Sequence, residues 1–202
     1  MEIAVSGNKI IMKDKVFTEL DRFVFEFLEL IPEIKYVIVS GYLSILFGRS
    51  RGTEDIDILV ERFDENTFGM LYNRLRSEKY YFLNPGGVRE LYQTLKEGLA
   101  VRTSKEGMII PNIELKFVRD DIERYSLENR VRLILENDTS FELYISPIEL
   151  QIPYKLYLGG DKDIEDAVYL WEIFKKYLER EKLKKFMGKL RVDGRVYGIE
   201  IE

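Results

Sequence analysis

The sequence SGYLSILFGRSRGTEDIDILV, residues 40–60, decides how the rest of the chain is interpreted. It begins with Ser40-Gly41-Tyr42, continues through twelve residues and then reads Asp55-Ile56-Asp57-Ile58. Alternating acidic and apolar residues are typical of a β-strand with one buried face. Side chains two positions apart on a strand point to the same side, so we expect Asp55 and Asp57 to project together, away from the two isoleucines. The pattern therefore predicts two carboxylates in one small volume.

A third acidic residue, Glu114, lies in another alternating segment, Ile113-Glu114-Leu115-Lys116-Phe117. If this strand pairs beside the first, two carboxylates about 5 Å apart repel by roughly 3 kcal/mol at an effective dielectric of about 20. Three such pairs approach ~10 kcal/mol, which is comparable with the stability of a domain. The cluster then persists only with a proton or a cation, and oxygen ligands suit Mg²⁺. Taken alone, Asp-Ile-Asp also fits an edge strand whose polar residues face water.

Features suited to phosphate binding precede the acidic pair. The β-branched run Tyr36-Val37-Ile38-Val39-Ser40 predicts a buried strand, which Gly41 closes. A glycine between a buried strand and a short helix lets backbone N–H groups approach a phosphate. Arg49, Arg51 and Thr53 lie between this glycine and the acidic pair. Cations and a metal ion would thus hold one phosphate chain from two sides.

The composition excludes several kinds of chemistry. The chain has 202 residues, 46% of them hydrophobic, and a net charge of −5, as expected for one ordinary domain. It has no Cys and no His, which excludes disulfides, thiolate nucleophiles, imidazole acid–base catalysis and the usual zinc sites. No apolar run reaches the roughly 18–20 residues of a membrane span, and no secretory signal is visible, so we expect a cytoplasmic protein without a membrane partner. Few Gln and abundant Lys, Glu and Ile favour a thermophilic source.

Hydrophobic spacing predicts a mixed sheet first and helices last. Apolar residues three and four apart predict helices at residues 14–31, 65–78 and 87–97. Extended runs predict strands at residues 99–102, 109–118, 130–135 and 141–144, the last two joined by a turn at Asn137-Asp138. From Pro147 the pattern is helical almost to Val192. Aromatic residues at helical spacing are predicted to lie in the core: Phe23, Phe27, Tyr169, Trp171 and Phe174.

The order of these features resembles the DNA polymerase β-type nucleotidyltransferase superfamily. The shared pattern is a strand, Gly41, a short helix, Arg51-x-Thr53-x-Asp55-x-Asp57 and a later acidic strand residue. Lys155 and the segment Lys162-Asp163-Ile164-Glu165-Asp166 are similar to the family's late Lys followed by K-D-x-x-D. Within the superfamily the chain is most similar to small stand-alone members, which include abortive-infection toxins and archaeal proteins of unassigned substrate. The resemblance extends over roughly residues 36–175.

The resemblance implies an α/β (α+β) fold. Residues 1–145 would form a nucleotidyltransferase core, a short mixed sheet with flanking helices, and residues 146–202 a helical C-terminal region packed on the core. The implied activity is transfer of a nucleoside monophosphate from an NTP to an acceptor hydroxyl, with release of pyrophosphate. Asp55 and Asp57 would hold two Mg²⁺ ions, for which Mn²⁺ can substitute, and Glu114 would ligate the ion at the attacking oxygen. Lys155 would be the fourth catalytic residue.

The resemblance also implies residues that bind the nucleotide or its phosphates. They are Ser40, Gly41, Tyr42, Arg49, Arg51, Thr53, Lys162, Asp163 and Asp166, of which Asp163 or Asp166 would orient Lys155. Tyr42 departs from the family's Gly or Ser, and its bulk is expected to crowd the β- and γ-phosphates. Two alternatives stay open: Asp161 or Asp163 caps a helix at about residues 164–179, and Lys155 lies on an exposed helix face.

The acceptor is less defined, because charge is unevenly spread along the chain. Residues 175–195 hold nine basic and three acidic side chains, a net charge of +6 against −11 elsewhere. Apolar residues interrupt this run, so it fits either a surface helix with a solvated basic face or a patch that binds nucleic acid. The second interpretation favours RNA, such as a tRNA end, held through Lys175 to Arg195. The acidic remainder leaves a protein hydroxyl or a small molecule open.

A second hypothesis is a catalytically silent nucleotidyltransferase fold. Such a protein would sense a nucleotide or bind a partner protein, as in a toxin–antitoxin pair. Tyr42 is the residue that supports this hypothesis, because its side chain replaces the family's small residue.

Overall fold

A computed structural model describes residues 2–137 and 140–201 of the chain. Within these ranges it contains nine strands, eight α-helices and a short 3₁₀ turn at Gly194–Tyr197. The strands are β1 (Glu2–Ser6), β2 (Lys9–Lys13), β3 (Tyr36–Ile38), β4 (Asp55–Val60), β5 (Tyr80–Phe82), β6 (Val101–Lys105), β7 (Asn112–Phe117), β8 (Val131–Glu136) and β9 (Ser140–Ile145). The helices are α1 (Glu19–Leu28), α2 (Gly41–Leu46), α3 (Glu65–Ser77), α4 (Val88–Lys96), α5 (Asp121–Glu128), α6 (Ile148–Leu158), α7 (Asp161–Phe174) and α8 (Arg180–Leu190).

All nine of these strands belong to one mixed sheet, in the order β1-β2-β8-β9-β3-β4-β7-β6-β5. β4 lies between β3, which is antiparallel to it, and β7, which is parallel to it. In the β4–β7 register Asp55 pairs with Asn112, and Asp57 pairs with Glu114. The strand pairing that the sequence left as a hypothesis is therefore confirmed.

The alternation along β4 separates the two faces of the sheet. Ile56, Ile58 and Val60 are buried in the main core, which is built with the apolar faces of α1 to α4. Leu59 points to the other face and packs in a small second cluster with Val37 and with Leu127 of α5. Asp57 and Asp55 lie two and four positions before Leu59 on the same strand, so their side chains lie on the face that α5 partly covers. The predicted core aromatics Phe23, Phe27, Trp171 and Phe174 are all buried, whereas Tyr169 is partly buried.

The first helix is shorter than the predicted range of residues 14–31. α1 begins at Glu19 because Thr18 caps it: the Thr18 hydroxyl accepts a hydrogen bond from the Asp21 amide, and the Asp21 carboxylate accepts one from the Thr18 amide. This capping box fixes the helix start. β2 and a connecting segment occupy the residues before it.

Several other elements also differ from the prediction. The sequence pattern did not indicate β1, β2, β5 or α5, which are short or sit at the edges of the sheet. The two strands predicted near residues 130–144 are present as the antiparallel pair β8 and β9. The turn predicted between them at Asn137-Asp138 includes Asp138, which lies outside the described residues. The last helical stretch is divided into three helices, and Gly159, which adopts a left-handed conformation at the end of α6, separates α6 from α7.

The C-terminal helices follow β9 after a short connection at residues 146–147. α6 packs against both α7 and α8, and α7 also contacts α2. The division into a core at residues 1–145 and a helical region at residues 146–202 stays a prediction. In the part of the chain that the structure describes, every helix is too short or too polar to cross a lipid bilayer.

Candidate active site

Three carboxylates lie on the α5 face of the sheet. Asp55 and Asp57 come from β4, and Glu114 comes from the adjacent position on β7. Neighbouring strands are about 4.8 Å apart, so Asp57 and Glu114 are direct neighbours. Asp55 and Asp57 are partly exposed, and Glu114 is buried. The structure thus brings together the three acidic residues that the sequence singled out.

Two cations neutralise part of this acidic face. The Lys116 ammonium lies 2.8 Å from Asp57 Oδ1 and 2.7 Å from Glu114 Oε2. Arg102, on the opposite neighbour β6, donates from Nε to Glu114 Oε1 at 2.6 Å. Burial alone would raise the pKa of Glu114, but Lys116 and Arg102 outweigh it and hold the pKa below its ordinary value. Glu114 is therefore ionised at neutral pH.

Lys116 is stabilised in its charged form by the same contacts. Burial alone would lower the pKa of Lys116, but the neighbouring carboxylates of Asp57 and Glu114 outweigh it and raise the pKa above its ordinary value. Three carboxylates and two cations leave a net charge of −1 on this face. The acidic face is therefore mostly, but not fully, neutralised by the chain itself.

The carboxylate oxygens of this face are suitable ligands for a divalent cation, but several of them already contact a side chain of the protein. Asp55 Oδ1 accepts a hydrogen bond from Asn112 Nδ2 at 2.7 Å. The second oxygens of Asp55 and Asp57 accept no hydrogen bond from any residue that the structure describes. Carboxylate oxygens of this kind suit Mg²⁺ or Mn²⁺. Among residues 2–137 and 140–201, no three acidic groups converge tightly enough to hold a metal as they stand, and Lys116 fills the gap between Asp57 and Glu114.

A cavity of about 150 Å³ adjoins the acidic face, between the sheet, α5 and α6. The sheet contributes Asp57 and Lys116 to its lining, the turn before α2 contributes Ser40, and α5 and α6 contribute Ser126 and Gln151 among others. A cavity of about 150 Å³ can hold one benzene-sized ring. The space beside Asp57 is therefore large enough for one ring of a substrate.

The turn before α2 is tightly built. Ser40 has a φ of 67°, in the left-handed region, and its amide donates to Gln151 Oε1 at 3.1 Å. A Cβ atom at position 41 would lie 2.8 Å from Arg51 Nη2, so the guanidinium passes over the Gly41 backbone at a distance that only glycine permits. This contact joins the glycine turn to the arginine that the sequence placed in the same site.

The expectation that Tyr42 crowds the phosphates is wrong. Its side chain is fully buried in the main core, and its hydroxyl donates to Asp21 Oδ1 at 2.8 Å. Asp21 also accepts a hydrogen bond from Lys15 at 2.8 Å, and both residues are buried. Burial, reinforced by Asp21, raises the pKa of the Tyr42 hydroxyl well above its ordinary value. The Tyr42 side chain therefore does not reach the acidic face, and only its backbone adjoins the turn.

A second charged cluster joins the segment between α2 and β4 to α6 and α7. Lys155 is buried, with its ammonium 2.6 Å from Asp163 Oδ1 and 2.9 Å from Asp166 Oδ2. Asp166 is also buried and accepts from Arg51 Nη1 at 2.5 Å and from Arg49. Both candidate partners thus contact Lys155, and the alternative of an exposed lysine is wrong. The alternative of an aspartate cap is wrong too, since Gly160 holds the N-cap position of α7.

The remaining predicted nucleotide-binding residues have structural contacts. The Thr53 hydroxyl donates to the Asp55 carbonyl at 3.0 Å, next to the start of β4. Lys162 is exposed, and its carbonyl accepts from Arg49 at 3.2 Å. Arg49 also pairs with Glu165. The phosphate-binding roles of these residues stay predictions.

Sequence reasoning missed four residues of the site. Lys116 lies two positions after Glu114, so the alternation that placed Glu114 on this face also places Lys116 there. Arg102 and Asn112 depend on the order of β6, β7 and β4, and Gln151 depends on how α6 packs. Only the first of these carried a signal in the sequence.

Comparison with known proteins identifies the fold. No protein-family model and no curated protein matches the sequence. The solution structure of the antibiotic-resistance factor ANT(2'')-Ia is similar, with a TM-score of 0.52 and 12% identity over 88% of this chain and 93% of that chain. The crystal structure of ANT(2'')-Ia in complex with adenylyl-2''-tobramycin has a TM-score of 0.52 and 14% identity over 86% of this chain and 98% of that chain. The chain has the mixed α/β nucleotidyltransferase fold of these structures, and the predicted fold class is confirmed.

Proposed function

We propose that the protein transfers a nucleoside monophosphate from an NTP to an acceptor hydroxyl, with release of pyrophosphate. The observation that carries this proposal is the meeting of Asp55, Asp57 and Glu114 on one sheet face beside a cavity. The fold supports it, because ANT(2'')-Ia shares this fold and has been crystallised with adenylyl-2''-tobramycin. ATP is therefore the first nucleotide to test.

In this reaction the acceptor oxygen bonds to the α-phosphorus, and the bond from that phosphorus to the β-phosphate oxygen breaks. Asp55 and Asp57 would hold Mg²⁺ or Mn²⁺, which when bound neutralises charge on the phosphates and polarises the reacting group. Glu114 would orient the acceptor hydroxyl and receive its proton. Because Lys116 and Arg102 keep the pKa of Glu114 low, its contribution is mainly position and charge rather than strong basicity.

The cations of the second cluster divide into two roles. Lys155 is buried and already paired with Asp163 and Asp166, so we assign it to positioning the helices around the site. Arg51 has one guanidinium nitrogen, Nη2, that makes no hydrogen bond within the described residues and passes over Gly41. We assign phosphate contact to Arg51 and to the backbone of Ser40 and Gly41.

Nucleotide binding is expected to stabilise the protein in the presence of Mg²⁺. At 100 times its dissociation constant, an NTP adds about 2.7 kcal/mol to the free energy of unfolding. For a chain of this size the melting temperature then rises by roughly 5–10 °C. Thermal melts with each NTP, with and without Mg²⁺, measure this shift. If no NTP shifts the melting temperature, the proposed nucleotide site is wrong.

A nucleotide-binding module without transfer is the second candidate. The observation that favours it is that Lys155 and Arg49 are held by carboxylates rather than directed at the cavity. NTP labelled at the α-phosphate separates the two candidates. Label moved to an acceptor, with matching pyrophosphate release, supports the transferase, and binding without either product supports the module.

We propose RNA as the acceptor. The apolar side chains of α8, Leu183, Phe186 and Met187, are buried. Its basic side chains are exposed: Arg180, Lys182, Lys184, Lys185 and Lys189. An exposed basic helix face gives phosphate contacts whose strength falls with salt.

Reversing two of these charges is expected to weaken RNA binding. Lys184→Glu with Lys185→Glu should lower RNA affinity at least ~10-fold at low salt and reduce the slope of log K against log salt by about 1.4. Arg89→Glu with Lys96→Glu, two exposed residues of α4, is the matched control and should change affinity little. Filter binding of tRNA across a salt series measures both. A flat salt response in the native protein would contradict RNA and leave a protein or small-molecule hydroxyl as acceptor.

A further inference from the structure

Lys116 lies at the centre of the acidic face rather than at its rim. β7 is an interior strand, with β4 on one side and β6 on the other. From this position the Lys116 ammonium contacts Asp57 Oδ1 at 2.8 Å and Glu114 Oε2 at 2.7 Å. It therefore bridges the two carboxylates that the β4–β7 register makes direct neighbours.

A divalent ion cannot bind these two oxygens while Lys116 does. Mg²⁺ requires oxygen ligands at about 2.0–2.1 Å, so an ion bridging the same oxygens would be a direct neighbour of the lysine nitrogen. The two cations would compete for the same lone pairs and repel each other. Occupation of this gap by Lys116 and occupation by a metal are thus mutually exclusive.

The partners on both sides keep Lys116 in place. Arg102 occupies the other oxygen of Glu114, so Glu114 is held by a cation on each of its two oxygens. Asp55 receives its hydrogen bond from Asn112 and does not contact Lys116. The pair Asp55 and Asp57 keeps two carboxylate oxygens without partners among the described residues, which leaves ligands for one ion.

We propose that Lys116 takes the place of one of the two divalent ions expected for this fold, so that the active site holds a single metal ion at Asp55 and Asp57. This inference rests on the proposed function, since it concerns the same site. Lys116 is then a positioning residue: its fixed ammonium neutralises Asp57 and Glu114, and the divalent ion serves the triphosphate.

Counting Mn²⁺ ions tests the proposal without an activity assay. The native protein is titrated with Mn²⁺ in the presence of an ATP analogue that carries a methylene group between the α- and β-phosphorus atoms, and free Mn²⁺ is followed by electron paramagnetic resonance. We expect one tightly bound Mn²⁺ in the native protein and in Lys116→Arg. We expect two in Lys116→Met, with the second bound at least ten-fold more tightly than in the native protein. Two ions about 3.5–4 Å apart also give a spin-coupled spectrum.

Lys13→Met is the matched control, because Lys13 also lies on a strand and pairs with one carboxylate, Glu136. It should bind one Mn²⁺, like the native protein. Two tightly bound, coupled ions in the native protein would overturn the proposal, and so would a single ion in a folded Lys116→Met. If Lys116→Met does not fold, the count in the native protein still decides. Absence of any bound Mn²⁺ in every variant would overturn both this inference and the metal-dependent transferase.

Discussion

An Asp57→Asn variant is expected to lose at least about 1000-fold in the rate of nucleotide transfer while it keeps its fold. Asp57 contacts every part of the site. It pairs with Glu114 across β4 and β7, its carboxylate contacts Lys116, and it lines the cavity. Asparagine has the same shape but lacks the charge that holds a divalent ion. Loss of about 4 kcal/mol of transition-state stabilisation corresponds to this factor.

The fold should tolerate this change. The asparagine side chain retains an oxygen for the Lys116 hydrogen bond, and loss of the negative charge relieves repulsion from Glu114. Pyrophosphate release gives the rate, and the far-ultraviolet circular dichroism spectrum with a thermal melt gives the fold. Glu54→Gln is the matched control, because Glu54 precedes Asp55 directly but its side chain is exposed. If Asp57→Asn keeps more than about a tenth of the native rate, the acidic face is not the catalytic site.

An Asp166→Asn variant is expected to lower the free energy of unfolding by about 3–5 kcal/mol. Asp166 is fully buried, accepts hydrogen bonds from Arg49 and Arg51, and forms an ion pair with Lys155. Removing one charge from a buried ion cluster leaves its partners desolvated and without compensation. In this variant Lys155 still pairs with Asp163 and Arg49 still pairs with Glu165, so Arg51 is the cation that loses its carboxylate partner.

The corresponding fall in melting temperature is roughly 10 °C for a chain of this size. Asp161→Asn tests whether the position in the helix explains the effect, since Asp161 lies in the first turn of the same helix but is exposed. Its change should stay within about 0.5–1 kcal/mol, the value of a dipole contact. Urea unfolding of both variants measures the difference. Equal stabilities would mean that the cluster does not hold α6, α7 and the segment between α2 and β4 together.

The sequence predicted the acidic face well because period-two alternation is a local property. In β4 and β7 each side chain's face follows from its own neighbours, so Asp55 and Asp57 could be placed together on the polar face of β4, and Glu114 on the polar face of its own strand. The pairing that makes Asp57 and Glu114 neighbours was only a hypothesis at that stage. The Thr18-x-x-Asp21 pattern at the start of α1 also carried a local signal, although the helix was predicted to begin at residue 14. The position of a side chain could thus be predicted from the sequence wherever it depends on residues only a few positions away.

The contacts that depend on distant partners could not be predicted in this way. The direction of the Tyr42 side chain follows from Asp21 in another helix, and the role of Lys116 follows from the β4–β7 register. The burial of Lys155 follows from the packing of α6 against α7. Tyr42 and Lys155 were singled out from the sequence and Lys116 was not, but in all three cases a tertiary contact determines what the side chain does.

The parallel register of β4 and β7 also bears on when the proposed site forms as the protein folds. A shift of β4 by one residue would turn both aspartates into the main core and both isoleucines out of it. Burial of either carboxylate without a partner would cost too much free energy for this shifted register to form. A shift by two would keep the alternation but set Asp57 opposite a residue other than Glu114. A sheet in which β4 and β7 are not yet paired in this register therefore lacks the proposed catalytic site. During refolding, the proposed transferase activity should return in step with the pairing of β4 and β7 rather than with helix content.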